Sequence, residues 1–304
     1  MSVVALLAGS PALFIGTCVI LGLAIGSFLN VVIYRLPIML ERQWHEQCVE
    51  VSQPDPAAMT LPVSALEPFN LVVPRSACPA CKAPIGAWQN IPLLSWLFLR
   101  GRCVHCRGSI SIRYPTVEAL TALLSGCVAW QFGFGAPALA AMVLTWFLIA
   151  LTFIDVDHQL LPDTLTLPLL WSGLFLSLFG THPGGMAIPV DVRSSLIGAI
   201  AGYASLWSVY HLFRLVTGKE GMGYGDFKLF AALGAWLGWQ MLLPIILIAA
   251  TAGAVVGLAL ITIRRQNRAT PIPFGPFLAL SGWLALMAGP HLVTGYPGLF
   301  PGYG

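Results

Sequence analysis

The sequence predicts an all-α polytopic membrane protein with about eight transmembrane helices and a cytoplasmic zinc-binding loop domain built on four cysteines. Three observations predict it. Hydrophobic residues make up 57% of the chain and charged residues 9%, with mean hydropathy +0.82; a soluble surface needs far more charge. The apolar residues come in windows of about 17–23, enough to cross roughly 30 Å of hydrocarbon. Polar residues concentrate in a single long segment, 35–117.

Spans are expected near 12–34, 118–135, 137–154, 164–180, 195–217, 227–242, 244–263 and 274–293. Two boundaries follow from length. As one helix, the run 227–263 would extend over about 50 Å at about 1.5 Å per residue. It must fold back, near Gly238-Trp-Gln240 and Pro244, and the run 119–154 splits similarly between Gln131 and Pro137. The first basic residue is Arg35, so the N-terminus lacks a signal peptide's positive region and 12–34 is expected to be a retained span. Three parts are thus expected: 1–34 with the first span, the loop domain 35–117, and the membrane-embedded 118–304.

Orientation follows from the basic residues. In this arrangement all of the fifteen except Arg193 fall on one side, which the positive-inside rule makes cytoplasmic. Both termini are then expected to be periplasmic.

Within the loop, 41–73 shows no clear period and is expected to be irregular. Cys78-Pro-Ala-Cys81 and Cys103-Val-His-Cys106 follow, two CxxC turns separated by 21 residues. Two short turns that each offer two thiolates suit a tetrahedral zinc ion. Such a site is closed, so the metal would be structural. A redox pair and free thiols are the alternatives, and a reducing cytoplasm disfavours disulfides. His105 is a lesser candidate ligand. Cys18, Cys48 and Cys127 are expected to pack.

Two acidic stretches carry the candidate chemistry. Asp226, in Gly221-Met-Gly-Tyr-Gly-Asp-Phe-Lys228, opens an apolar run whose only charge is Lys228. A carboxylate at the mouth of a span is costly and a functional candidate by default, although Asp also caps helices. The second stretch, Ile154-Asp-Val-Asp-His-Gln-Leu-Leu-Pro-Asp163, offers three carboxylates. Asp155 ends an apolar span directly and is favoured; Asp157 would point to nearly the opposite side of a continuing helix, and Asp163 after Pro162 looks like an N-cap. Two carboxylates from separate spans, meeting at one membrane face, would share a proton and activate water. No GxSxG, Walker A, HExxH or post-strand GxGxxG pattern occurs, which removes the usual serine hydrolase, ATPase and zinc protease readings. A transporter that uses intramembrane aspartates, or an inert membrane anchor with a partner-binding loop, remains as an alternative class.

The sequence also resembles the type IV prepilin peptidases. The likeness rests on the two acidic stretches, on Gly26-Ser-Phe-Leu-Asn-Val-Val-Ile-Tyr-Arg-Leu-Pro37, and on Pro74-Arg-Ser-Ala-Cys-Pro-Ala-Cys81. Arg100-Gly-Arg-Cys103, Arg113-Tyr-Pro-Thr-Val-Glu118 and Ile272-Pro-Phe-Gly-Pro276 complete it. The resemblance implies a GxGD-type aspartyl peptidase of the bacterial inner membrane with Asp155 and Asp226 as the catalytic pair at the cytoplasmic face. Its implied partners are prepilins and type II secretion pseudopilins, cut after a Gly and before, usually, Phe; membrane lipid surrounds it and no nucleic acid is expected. The resemblance further implies N-methylation of the new amino terminus with S-adenosylmethionine. That step needs a neutral amine and so a general base or desolvation. Glu41, Glu46, Glu50 and Glu118 are the carboxylates considered for it.

Overall fold

A computed structural model describes residues 2–52, 69–78, 80–86, 88, 91–180, 190–219, 221–264 and 272–294. Among them there is no strand. The helices are α1 (Val3–Gly9), α2 (Pro11–Ser52), α3 (Leu94–Phe98), α4 (Arg113–Phe132), α5 (Ala136–His158), α6 (Asp163–Ser177), α7 (Val192–Thr217), α8 (Tyr224–Leu237), α9 (Leu242–Arg264) and α10 (Gly275–Thr294). Each of the eight expected spans coincides with one of them. Among the described residues four segments are long and apolar enough to cross a membrane: Pro11–Cys48, Ala136–His158, Val192–Thr217 and Trp239–Ile263; Gly275–Gly289 is a shorter apolar helix.

The expected breaks are present. The chain leaves α4 at Phe132 and re-enters a helix at Ala136, with Pro137 in the first turn of α5. Between α8 and α9 it reverses at Gly238 (φ 83°), followed by a single 3-10 turn, Trp239–Met241. The expected irregularity of 41–73 is corrected in its first part: α2 runs on through Ser52, past Pro37. Helix propagation costs little once a helix exists, and Glu41, Arg42, Gln43, Glu46 and Gln47 are good helix formers. The rest of that stretch, 53–68, lies outside the described residues.

The chain forms two compact units, Gly16–Gly126 and a second that joins Met1–Ile15 to Cys127–Gly304. In the second unit α8 is the centre. From Asp226 to Leu237 every residue but Lys228 is buried, as expected for a helix apolar on all sides. It packs on α6, α7 and α10. The α7 contact is close because Gly198 and Gly202, one turn apart, face Gly234 and the Phe230 carbonyl. Small residues at this spacing let helix backbones approach in a membrane. Polar groups fasten the rest: Ser195 Oγ donates to the Ala235 carbonyl at 2.6 Å, and the Trp236 indole N–H to the Leu169 carbonyl at 2.7 Å.

In the Gly16–Gly126 unit, Gly22 and Gly26 of α2 lie against the α4 backbone at Ala122 and Glu118. Buried Arg35 reaches back to the cysteine segment, donating from Nη1 to the Asn70 carbonyl (2.8 Å) and from Nη2 to the Pro74 carbonyl (2.6 Å). Glu118 is committed to the loop: its Oε2 accepts the Leu93 N–H at 2.8 Å, immediately before α3.

A side chain at Gly198 would overlap the Gly234 backbone. Gly198→Val should therefore lower the melting temperature of the detergent-solubilised protein, by the equivalent of about 1–3 kcal/mol or more of overpacking. Gly16→Ala, at a position with open space around it, should leave it unchanged or slightly raised, as read by a thermal unfolding assay.

Candidate active site and cysteine cluster

The two acidic stretches converge. Asp155 occupies the last turn of α5, which ends at Gln159 in the left-handed region (φ 52°) with its N–H on the Asp155 carbonyl. Asp226 is the third residue of α8, whose N-cap is Gly223. Both side chains are buried, at 5% and 7% exposure, and the two carboxylates interact electrostatically. Asp226 has a capping contact and one free oxygen. Its carboxylate accepts the Gly223 N–H, the reach from the third residue back to the cap that forms half of a capping box. Its Oδ1, however, is buried with no hydrogen-bond partner among the described residues.

Asp155 is held from a third element. The Gly275 N–H, at the start of α10, donates to Asp155 Oδ2 at 3.0 Å. This is a favourable use of a helix N-terminus, where unpaired N–H groups meet a carboxylate. Glycine is required there for space, since a Cβ would lie 2.6 Å from that oxygen. Leu161 wedges between the two glycine segments: a Cβ at Gly225 would meet its Cβ at 2.6 Å, and one at Gly275 its Cδ1 at 3.2 Å. The sequence reading assigned no role to Gly275 or Leu161. The signal available was Phe274-Gly-Pro276 at the mouth of an apolar run, which marks a helix start with its N–H groups free.

The other two acidic candidates lie apart. Asp157 is exposed. Asp163 is not the N-cap of α6, a place taken by Pro162; it receives Lys228 Nζ on both oxygens, at 2.6 and 2.7 Å. At 27% and 55% exposure this pair contributes about 0–1 kcal/mol, and it ties the starts of α6 and α8 together.

The four cysteines of the CxxC turns also converge, with all sulfurs within 4.8 Å of one another. Cys78 Sγ lies 3.8 Å from Cys106 Sγ and Cys81 Sγ 4.0 Å from Cys103 Sγ. A tetrahedron with metal–sulfur bonds of about 2.3 Å has sulfurs about 3.8 Å apart, so the cluster fits a metal ion. The two turns are built alike. Cys78 N–H donates to the Ala83 carbonyl and Lys82 N–H to the Cys78 carbonyl; Cys103 N–H donates to Gly108 and Arg107 N–H to Cys103. Lys82 (φ 58°) and Arg107 (φ 55°) occupy the same left-handed position in each. The backbone N–H groups of Cys81 and Ala80 point at the Cys78 sulfur and hold its thiol down to about 6, which suits a ligand that must be a thiolate. His105 is exposed and is not part of the cluster, and Cys18, Cys48 and Cys127 lie outside it.

Fold and site together define a helical membrane protein with a buried carboxylate pair and a four-thiol cluster. Residues 20–132 match the bacterial peptidase A24 N-terminal domain, and residues 142–258 match the type IV leader peptidase family. The chain belongs to that family. It is 54% identical over 288 residues to a prepilin leader peptidase/N-methyltransferase of Aeromonas hydrophila, covering 95% of each chain. To the proteins of the same name from Stutzerimonas stutzeri and Pseudomonas aeruginosa it is 52% and 50% identical, over 97% and 95% of this chain and 98% and 96% of theirs. No solved structure matches it.

The cluster geometry predicts about one metal ion per chain, measurable by elemental analysis of the purified protein. Cys103→Ser should lower that content and speed proteolysis within 69–117 while the helices of the second unit resist as before. Full metal content in Cys103→Ser would contradict the assignment.

Proposed function

We propose that this protein removes the leader peptide from prepilins and related pseudopilins and then N-methylates the exposed amino terminus. The observation that carries the peptidase half is the pair of buried carboxylates with one oxygen, Asp226 Oδ1, that has no hydrogen-bond partner among the described residues. A buried acceptor costs about 1–3 kcal/mol when unsatisfied. A water molecule or a protonated partner carboxyl would satisfy it, and hydrolysis needs both.

In this reading Asp155 and Asp226 share one proton, because two adjacent carboxylates do not both ionise readily. The ionised member takes a proton from water as its oxygen adds to the scissile carbonyl, and the protonated member donates to the carbonyl oxygen. Collapse of the tetrahedral intermediate breaks the C–N bond, and the leaving amine takes up a proton. The Gly275 N–H holds one oxygen of Asp155 and fixes its orientation. Family resemblance puts the cut after a Gly and before, usually, a Phe.

We assign the four-cysteine site to structural zinc in the loop domain 35–117, and the peptidase to 118–304. S-adenosylmethionine is the methyl donor this reading requires, supplying a methyl group to the neutral amine with loss of a proton. Glu118, bound to Leu93, is occupied in positioning the loop and is not assigned as the base. The excess of basic residues in the loops supports an inner-membrane orientation with the aspartates at the cytoplasmic face and both termini periplasmic.

Asp155→Asn and Asp226→Asn should each abolish cleavage of a prepilin peptide while expression and metal content stay normal. Asp157→Asn and Asp163→Asn should retain substantial activity. Near wild-type cleavage by Asp155→Asn would overturn the pair. Methyl transfer needs no activated water, so Asp226→Asn supplied with a pre-cleaved peptide bearing a free N-terminal Phe, and with S-adenosylmethionine, should still methylate it, as read by mass spectrometry.

A further inference from the structure

Apart from the thiol cluster, the loop module around the cysteines carries an exposed apolar surface. Helix α3 exposes Leu94, Leu97 and Phe98, with Phe98 at 84% and Leu97 at 63% exposure. Beside it runs an open groove of about 460 Å³, lined on one wall by Leu93, Trp96 and Leu97 and on the other by Ala119, Leu120 and Leu123 of α4. Ile112, at 68% exposure, lies at its head. Exposed apolar side chains gathered in this way mark an interaction surface.

Two hydrogen bonds fix α3 in place. Glu118 Oε2 accepts the N–H of Leu93, and the Trp96 indole N–H donates to the Ile110 carbonyl at 3.3 Å. The first ties α3 to the early turns of α4, where the chain enters an expected span, and the second ties it to the segment just before α4. The far wall of the groove is therefore an exposed stripe of α4, the helix of an expected span. Charge selects the same partner. Between Phe69 and Val117 the chain carries Arg75, Lys82, Arg100, Arg102, Arg107 and Arg113 and no Asp or Glu, so the segment stays net positive even with four thiolates on a divalent ion. Apolar residues flanked by arginines are the pattern of a segment lying in the plane of an anionic membrane surface.

We propose that α3 is an in-plane membrane anchor: Leu94, Leu97 and Phe98 enter the acyl region, a phospholipid chain occupies the groove, and the flanking arginines bind anionic headgroups. The cysteine module is then seated on the bilayer surface instead of standing free in solution. The anchoring uses no residue of the aspartate pair or of the thiol cluster, so it holds or fails independently of the proposed reaction.

The test is photocrosslinking of the full-length protein in vesicles of phosphatidylcholine and phosphatidylglycerol, with a prepilin peptide added. p-Benzoylphenylalanine replaces Leu97 or Phe98 in turn, and Gln47 as control; Gln47 is exposed on α2, about 20 Å beyond residue 34, where the apolar run of that helix gives way to charged residues, at about 1.5 Å per residue. Metal content confirms that each module is folded. The anchor predicts that probes at Leu97 and Phe98 give peptides heavier by one phospholipid, enriched in phosphatidylglycerol over its share of the vesicle, and that Gln47 gives none. Adducts with the prepilin peptide in place of lipid would make the groove a substrate surface and overturn the proposal. So would absence of lipid adducts at both positions, or equal adducts at Gln47.

Discussion

Two carboxylates buried among apolar helices impose the constraint on which the second unit depends. An ionisable group inside a span costs about 2.5–3.5 kcal/mol at the bilayer centre on insertion scales, less towards the interface. Here each carboxylate is met by the N–H of a glycine at the start of another apolar helix or at its own cap: Gly275 for Asp155 and Gly223 for Asp226. The surrounding packing serves those two donors. Leu161 fills the space between the glycine segments. Central, buried α8 carries Asp226, and the small residues of α7 let it sit close. Among the described residues Asp226 Oδ1 has no hydrogen-bond partner, and the proposed reaction puts its water there.

The Gly16–Gly126 unit solves a different problem, holding a small polar module without a core of its own. Two similar turns bring four sulfurs together, and a metal ion bound there would supply folding energy that so short a segment lacks. Arg35, Trp96 and Glu118 then tie backbone carbonyls and an N–H of the module to α2 or α4 or within itself. Buried Arg and Glu are retained here because each makes hydrogen bonds to loop backbone that water would otherwise satisfy.

What was legible in the sequence was what has a period or a spacing. Apolar windows located eight helices, four of them within segments long and apolar enough to cross a membrane, and length required the reversals at Gly238 and before Pro137. The CxxC turns disclosed the thiol cluster because ligand spacing is local. Helix angle separated Asp155 from Asp157. What was not legible depended on tertiary contact. Asp163 looked like a cap, but its partner Lys228 is 65 residues away. Gly275 shows its function only once α10 is set against Asp155, 120 residues distant in sequence. The extension of α2 through Ser52 was hidden because a solvated helix need not show an apolar stripe. Helix α3 was too short for periodicity to reveal.

If Asp155 and Asp226 act as one proton-sharing unit, their contributions to cleavage are not independent, since residues acting together lose their function when either is removed. The most direct measurement is a double-mutant cycle on peptide cleavage with Asp155→Asn, Asp226→Asn and the double variant, using an assay sensitive enough to read residual rates. The account predicts that the double variant is no slower than either single variant. Losses that multiply in the double variant would show two independent contributions and contradict a shared site.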